Sequence, residues 1–180
     1  MIGADLVLQR QRKKRKMNKK TQKTLFSSKQ TEWITPQEFY IKLMTVFGPF
    51  TLDPAATKEN SKCNKFFTIE DDGLKQSWEG EKIFCNPPYK RGIINQWVKK
   101  GFEEGQKEKT LVVMLLSVRS DVKWFKEYVM NADEIYFVNG RLKFGGQEKN
   151  NSAPFPSMIV VFDGFKKEKG MLVVGTIDRK

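Results

Sequence analysis

The sequence predicts an α/β protein built on a largely parallel β-sheet. Short apolar runs, which are typical of strands, alternate along the chain with stretches whose apolar residues recur about every three to four positions, as in helices. The last apolar runs follow one another closely, which favours an antiparallel edge. The chain has 180 residues, of which 39% are apolar, and this suffices for one domain with a substantial core.

The first helix is predicted to begin at Pro36. Thr35 is a suitable N-cap, Pro36 fits the first helical position, and Glu38 completes a capping box with Thr35. The Gly48-Pro49 pair ends the helix, because neither residue favours its continuation. The apolar stripe between these ends comprises Phe39, Leu43, Val46 and Phe47.

The elements that follow alternate between strands and helices. Short strands are predicted at residues 50–52, ending at Asp53, and at residues 66–69. A buried strand at residues 82–85 ends at Asn86, and a helix follows it. The apolar face of that helix comprises Ile93, Ile94, Trp97, Val98 and Phe102. The later elements are a doubly covered strand at residues 110–116, a helix at 121–130, and strands at 134–138, 158–162 and 171–174.

The first 30 residues differ in composition from the rest of the chain. Residues 1–23 carry nine Lys and Arg against one Asp and show no apolar period. We therefore expect residues 1–30 to be a disordered basic tail and residues 31–180 to form a single domain. Such a tail is attracted to nucleic-acid phosphates, although a solvated tail without a partner explains the composition equally well. Met17 is an alternative start of the chain.

Several classes of chemistry are excluded by composition. The chain contains no histidine, so histidine bases, Ser-His or Cys-His nucleophiles and histidine metal ligands do not exist. Its two cysteines, Cys63 and Cys85, form no CxxC pair, and we expect free thiols and no metal site. The sequence has neither an apolar run of membrane-spanning length nor a secretory signal, which predicts a cytoplasmic protein without a membrane partner.

The motif Asn86-Pro87-Pro88-Tyr89 follows the predicted strand at residues 82–85 directly. The prolines stiffen the chain and remove two backbone donors, so that the Asn86 side-chain oxygen and the Pro87 carbonyl can jointly accept from one amino group. Tyr89 offers a flat face for a planar base. Two acceptors favour a pyramidal nitrogen with a localised lone pair, which can attack an activated methyl group. A rigid turn capped by Asn86 is the structural alternative.

A second polar motif, Asp53-Pro54, stands at the end of another predicted strand. Ligands of open α/β sheets bind beyond the carboxyl ends of the strands. We therefore expect Asp53 and Asn86 to belong to one site.

The ordered set of motifs resembles the phage-type DNA N6-adenine methyltransferases, over about residues 31–164. Asn-Pro-Pro-Tyr by itself is also similar to the motif of RNA and protein-glutamine methyltransferases. Asp53 is followed by Pro-Ala-Ala-Thr in place of a glycine-rich loop. The matching motifs are Trp33-Ile34-Thr35-Pro36, Phe50-Thr51-Leu52-Asp53-Pro54-Ala55-Ala56, Phe67-Thr68-Ile69-Glu70-Asp71-Asp72-Gly73-Leu74 with Trp78, Asn86-Pro87-Pro88-Tyr89, Arg119 with Asp121 and Trp124, Gly140-Arg141-Leu142-Lys143-Phe144, and Ser152-Ala153-Pro154-Phe155-Pro156-Ser157.

The resemblance implies a compact Rossmann-like class I methyltransferase fold that uses S-adenosylmethionine. Asn86, Pro87, Pro88 and Tyr89 would hold a flipped adenine, and Phe155 would add a second wall unless it belongs to the core. The cofactor would be bound by Asp53, Pro54 and Ala55, by Thr35 and Pro36, and by Asp71 or Asp72. Asp53 would pair with the amino group of its methionine end. The acidic pair alternatively shapes the turn before Gly73.

The resemblance also implies double-stranded DNA as the substrate, methylated at adenine N6 after base flipping. In that case the protein is encoded by a phage or prophage and acts in a bacterial cell, and we expect a monomer. A non-catalytic DNA-binding module on a degenerate methyltransferase fold is the alternative from another class. Arg119 with Asp121 could form a structural ion pair instead of contacting DNA. The cations expected near DNA phosphates are Lys90, Arg91, Arg119, Arg141 and Lys143.

Overall fold

The computed structural model describes residues 33–145, 152–166 and 170–179, and the tail expected at residues 1–30 lies outside these ranges. The described residues form a sheet of seven strands in the order β2-β1-β3-β4-β6-β5-β7. The strands are β1 (Leu52–Asp53), β2 (Lys65–Phe66), β3 (Lys82–Cys85), β4 (Leu111–Ser117), β5 (Glu134–Asn139), β6 (Ser157–Asp163) and β7 (Val173–Asp178).

Strand pairing confirms the predicted α/β class with a mostly parallel sheet. Strands β2, β1, β3 and β4 run parallel to one another, and β5 runs parallel to β7. Strand β6 runs antiparallel between β4 and β5, so the antiparallel pairs lie among the late strands, where their close spacing predicted them. The longest of these pairs joins β4 and β6 over seven residues each, from Leu111↔Asp163 to Ser117↔Ser157.

Helices cover both faces of the sheet. Helix α1 (Gln37–Phe47) packs Phe39 and Leu43 on one face, against Phe84 of β3. Helix α2 (Ile94–Glu104) packs Trp97 and Val98 on the other face, which also carries the short helix α3 (Lys123–Glu127) and a 3-10 turn (Val129–Asn131). Strand β4 is buried on both faces, as its continuous apolar run predicted.

The start of α1 differs from the prediction. The helix begins at Gln37, and Pro36 occupies the cap position with extended backbone. Proline has no side-chain acceptor, and no other side chain among the described residues caps this end. The side chain of Thr35 contacts another residue, Asn86, instead of the helix. Val46, expected in the apolar stripe, is 56% exposed, while Tyr40 is buried in its place.

Four other predicted elements have clearly different bounds, and one of them, the strand expected at residues 50–52, begins only at Leu52. The strand expected at residues 66–69 ends at Phe66, because Thr68 donates to Asp71 from both its backbone and its hydroxyl and turns the chain away. The helix expected at residues 121–130 begins late because Val122 is extended, and it breaks at Tyr128. The last strand begins at Val173, where pairing with β5 starts, and not at residue 171.

The pairing of β1 with β3 determines where the two polar motifs lie. Leu52 of β1 faces Ile83 of β3 in a parallel register, so both strands point their carboxyl ends to the same edge of the sheet. Asp53 and Asn86 therefore leave the sheet on the same side. No helix in the described part of the chain is long and apolar enough to cross a membrane. The described residues also contain no cluster of three or more Cys, Asp and Glu suited to a metal ion.

Candidate active site

A cavity of about 440 Å³ lies beyond the carboxyl ends of β1 and β3. Asp53 and Asn86 both line it, so the two polar motifs share one space. Four chain segments and the start of α2 form its walls. The lining residues are Trp33, Ile34, Thr35, Asp53, Pro54, Ala55, Ala56, Thr57, Asn60, Lys62, Phe67, Thr68, Ile69, Asp72, Gly73, Leu74, Asn86, Pro87, Pro88, Ile93 and Trp97.

Asp53 places a buried carboxylate in the wall of this cavity. Its side chain is 4% exposed, and its two oxygens accept hydrogen bonds from the backbone N–H groups of Ala55 (3.3 Å) and Lys62 (3.1 Å). Burial raises the pKa of Asp53 to about 6, although both hydrogen bonds act in the opposite direction. Burial removes hydration from this carboxylate, so a cationic partner would stabilise its ionised form in place of the lost water.

Lys62 adds a cation to the same wall, which the sequence did not predict. Its Nζ donates to Oε1 of Gln37 at 2.9 Å and lies 5.8 Å from the ring centre of Tyr40. The hydroxyl of Tyr40 donates to the Lys62 carbonyl at 2.8 Å, which fixes this loop on α1. Burial lowers the pKa of Lys62, and the charge of Asp53 opposes that change. Two residues of opposite charge, Asp53 and Lys62, thus line one cavity.

The loop after β2 is held against the loop after β1 by a glycine. A Cβ atom on Gly73 would lie 2.1 Å from the carbonyl oxygen of Pro54, so only glycine allows this close approach. The indole Nε1 of Trp78 donates to the Gly73 carbonyl at 2.9 Å, and this buried hydrogen bond holds the loop in place. The loop can therefore serve as a wall of the cavity.

The two acidic residues before Gly73 have different positions. Asp72 lines the cavity and pairs with Lys75 at 2.8 Å. Asp71 is not among the lining residues of the described chain and accepts from Thr68, so it shapes the turn. Of the two residues that the resemblance offered for the cofactor, Asp72 is the one that the geometry places at the cavity.

The Asn86 side chain is oriented by two acceptors. Its Nδ2 donates to the Trp33 carbonyl at 2.5 Å and to Oγ1 of Thr35 at 3.0 Å. Because a carbonyl can only accept, the amide nitrogen must face Trp33. The Oδ1 atom is buried and has no hydrogen-bond partner among the residues that the structure describes. A buried acceptor without a donor costs free energy and points to a ligand donor.

Thr35 and Pro36 differ in their relation to the cavity. Thr35 is 4% exposed and lines it. Pro36 does not line it within the described chain, and its carbonyl accepts from the Tyr40 N–H at 3.0 Å in the first turn of α1.

The rings of Tyr89 and Phe155 are in contact, and neither residue lines the cavity in the part of the chain that the structure describes. The Tyr89 hydroxyl donates to the Leu115 carbonyl at 2.8 Å, and burial raises its pKa. The ring centres of Tyr89 and Phe155 are 5.4 Å apart with planes tilted by 60°, and Phe155 also contacts Trp33 edge-on at 5.1 Å. A base sandwiched between two parallel rings needs roughly 7 Å between them. In this arrangement Phe155 therefore occupies the space next to Tyr89 and does not form a second wall.

The five predicted phosphate contacts are all exposed. Lys90 and Arg91 follow Tyr89 directly, and Lys143 flanks the buried strip at Leu142 and Phe144. The carbonyl of Arg141 accepts from Arg179 at 3.0 Å.

Arg119 forms the ion pair that was the alternative to a DNA contact. Its guanidinium donates two hydrogen bonds to Asp121, at 3.0 and 3.1 Å. The charge of Arg119 is thus partly neutralised by Asp121, whereas Lys90 and Arg91 have no ion-pair partner among the described residues.

The chain is similar in sequence to known proteins. A family model described as DNA N-6-adenine-methyltransferase (Dam) matches residues 21–180. A DNA N-6-adenine-methyltransferase of Haemophilus phage HP1 is 33% identical over 139 residues, which cover 73% of this chain and 78% of that protein. A DNA N-6-adenine-methyltransferase of Escherichia phage T1 is 37% identical over 111 residues, which cover 61% of this chain and 45% of that protein.

This chain thus spans less than half the length of the phage T1 relative, but most of the length of the phage HP1 relative. The family model covers the whole of the described structure, from Trp33 onward. The chain therefore belongs to the DNA N-6-adenine-methyltransferase (Dam) family, as its motifs predicted.

Proposed function

We propose that this protein transfers a methyl group from S-adenosylmethionine to N6 of adenine in double-stranded DNA. The observation that carries the proposal is the buried Oδ1 of Asn86, an acceptor without a donor among the described residues, beside a cavity that also holds Asp53. The named phage relatives support the reaction class.

The cavity suits S-adenosylmethionine in size and in chemistry. Its volume of about 440 Å³ falls in the range of about 300–1,000 Å³ that is typical of small-molecule pockets. The Asp53 carboxylate would take the ammonium of the methionine end, while Thr35, Pro54 and Ala55 would form the adjoining wall. Asp72 would contact the adenosine end from the loop after β2. When bound, the cofactor supplies a methyl group on a positively charged sulfur.

Asn86 and Pro87 would act on the amino group of the target base. Oδ1 of Asn86 would accept one N–H and the Pro87 carbonyl would accept the other. Both bonds draw the nitrogen out of conjugation with the ring and localise its lone pair. Pro87 and Pro88 keep the turn rigid, and Tyr89 stacks on the base. No histidine and no covalent intermediate are needed, which agrees with the composition.

DNA binding would use the exposed cations near this edge. Lys90 and Arg91 follow the catalytic turn, and Arg141 and Lys143 are exposed on a later loop. Contacts to phosphates fix the position of the duplex while the target base leaves the stack, at a cost of a few kcal/mol. The phage relatives favour the cytoplasm of a bacterial host as the place of action.

Incubation with labelled S-adenosylmethionine and unmethylated plasmid DNA tests the proposal. Nucleoside analysis should give N6-methyladenine. The proposal would be refuted if N4-methylcytosine were the only methylated base, or if label appeared only in RNA or in protein glutamine offered in parallel. Asn86→Ala should lower the rate at least about hundredfold, because one of two acceptors is lost. Asn95→Ala on the exposed side of α2 is the matched control and should keep the wild-type rate.

A further inference from the structure

The side chain of Thr35 is committed to Asn86 and not to its own helix. It is 4% exposed, its Oγ1 accepts from Nδ2 of Asn86 at 3.0 Å, and helix α1 begins two residues later without a side-chain cap from the described chain. Thr35 stands where its hydroxyl could cap the helix, yet the hydroxyl bonds to a residue 51 positions away. Helix stability therefore does not explain this arrangement.

We infer that Thr35 is a positioning residue that fixes the Asn86 amide so that Oδ1 is left as the free acceptor. This inference rests on the proposed function, because it concerns the acceptor that would hold the base. The Trp33 carbonyl takes one amide hydrogen and Thr35 takes the other. When each of the two amide hydrogens has its own acceptor, the plane of the amide group is defined. With only one acceptor, the group could rotate while keeping its one hydrogen bond.

The segment that carries these acceptors is itself anchored from outside the motif. The Ile34 carbonyl accepts from the Gly145 N–H at 2.9 Å in an isolated antiparallel bridge. The Trp33 ring packs edge-on against Phe144 at 5.4 Å. The orientation of Asn86 therefore depends on a segment far from it in sequence, which contacts it through the Trp33 carbonyl and the Thr35 side chain.

Three variants separate positioning from simple structural support. Thr35→Val keeps the shape but removes the acceptor, Thr35→Ser keeps the acceptor, and Thr45→Val is the matched control. The Thr45 hydroxyl is exposed and donates to the Ile41 carbonyl of its own helix at 3.1 Å. We expect Thr35→Val to lower the single-turnover rate about tenfold, since one hydrogen bond that orders the catalytic group is lost. Thr35→Ser and Thr45→Val should stay within about twofold of wild type.

Two readouts do not depend on methyl transfer. The affinity for S-adenosylhomocysteine, measured by calorimetry, should stay within about twofold in Thr35→Val, because valine keeps the shape of this part of the cavity wall and the hydroxyl it removes is engaged with Asn86. In NMR spectra of the protein without DNA, the signal absent from Asn86→Ala identifies the Asn86 side-chain amide. In Thr35→Val one of its two hydrogens should change its chemical shift and exchange faster with water, and in Thr35→Ser neither should.

The outcomes are distinguishable from a failure of the proposed function. If wild type methylates no adenine, that function fails, while the NMR comparison still tests the positioning of Asn86. An unchanged amide signal and rate in Thr35→Val would overturn the inference. A large loss of S-adenosylhomocysteine affinity with an unchanged amide signal would also overturn it and make Thr35 a cofactor ligand. Should Thr35→Val not fold, Thr35→Ala carries the same measurements.

Discussion

If Asp53 holds the cofactor as proposed, its burial should make cofactor binding dependent on pH. The pKa of Asp53 is raised from 3.8 to about 6 by burial, so the free protein holds a proton there in weakly acidic solution. A ligand ammonium pairs only with the ionised carboxylate. About one tenth of the free protein is ionised at Asp53 at pH 5 and about nine tenths at pH 7, so affinity for S-adenosylhomocysteine should be about tenfold weaker at pH 5.

Isothermal titration calorimetry measures both the affinity and the proton that is released. Binding at pH 5 should release close to one proton, seen as a dependence of the heat on the ionisation enthalpy of the buffer, and binding at pH 7 should release almost none. Asp53→Asn is the control, because it should bind more weakly at pH 7 and show no pH dependence between these values. A wild-type affinity that is flat from pH 5 to pH 7 would refute the reasoning, as would proton uptake.

Four further predictions follow from the same structure. Because the folded pKa of Asp53 lies above 3.8, wild type should lose up to about 3 kcal/mol of folding free energy as pH rises from about 4 to about 6, and Asp53→Asn should not, as checked by urea unfolding. Lys62→Met should move the pH midpoint of cofactor binding upward, because the charge that favours ionised Asp53 is lost; an unchanged midpoint in calorimetry contradicts this. Gly73→Ala should cost about 1–3 kcal/mol in thermal unfolding and weaken cofactor binding, since its Cβ would meet the Pro54 carbonyl. Burial disfavours ionised Glu104, but hydrogen bonds from two lysines and the Trp78 N–H outweigh it and lower its pKa, so Glu104→Gln should be less stable by about 1–3 kcal/mol at neutral pH. That difference in urea unfolding should shrink as the pH falls below the ordinary glutamate range, and a constant difference would exclude the ionised form as its cause.

Much of the fold could be predicted because its strands carry local signals. The strand Lys82–Cys85 has the predicted bounds, since a polar stretch precedes its apolar run and Asn86-Pro87 ends it. The parallel class followed from the alternation of such runs with helical periods. Bounds were less accurate where a side chain redirects the backbone, as Asp71 does after Phe66, because the partner atoms of such bonds cannot be recognised from apolar periodicity.

The candidate site was predictable only where its residues form motifs. Asp53 and Asn86 stand at strand ends and share the cavity, as a parallel sheet requires. Lys62 was missed because a lysine in a polar loop has no distinguishing pattern. The local sequence around Thr35 is that of a helix cap, and its actual partner is 51 positions away, so no window of the sequence contains the competing bond.

The contact between Tyr89 and Phe155 has a consequence for how the protein would discriminate among bases. The Phe155 ring already packs against the Tyr89 ring, so a base that stacked on Tyr89 in its place would exchange one aromatic contact for another. Such an exchange leaves the net apolar area nearly constant, and stacking then contributes little to the free energy of binding. Selectivity would consequently fall on hydrogen bonding at Asn86, where a base that brings an acceptor in place of an amino group would leave Oδ1 without a donor.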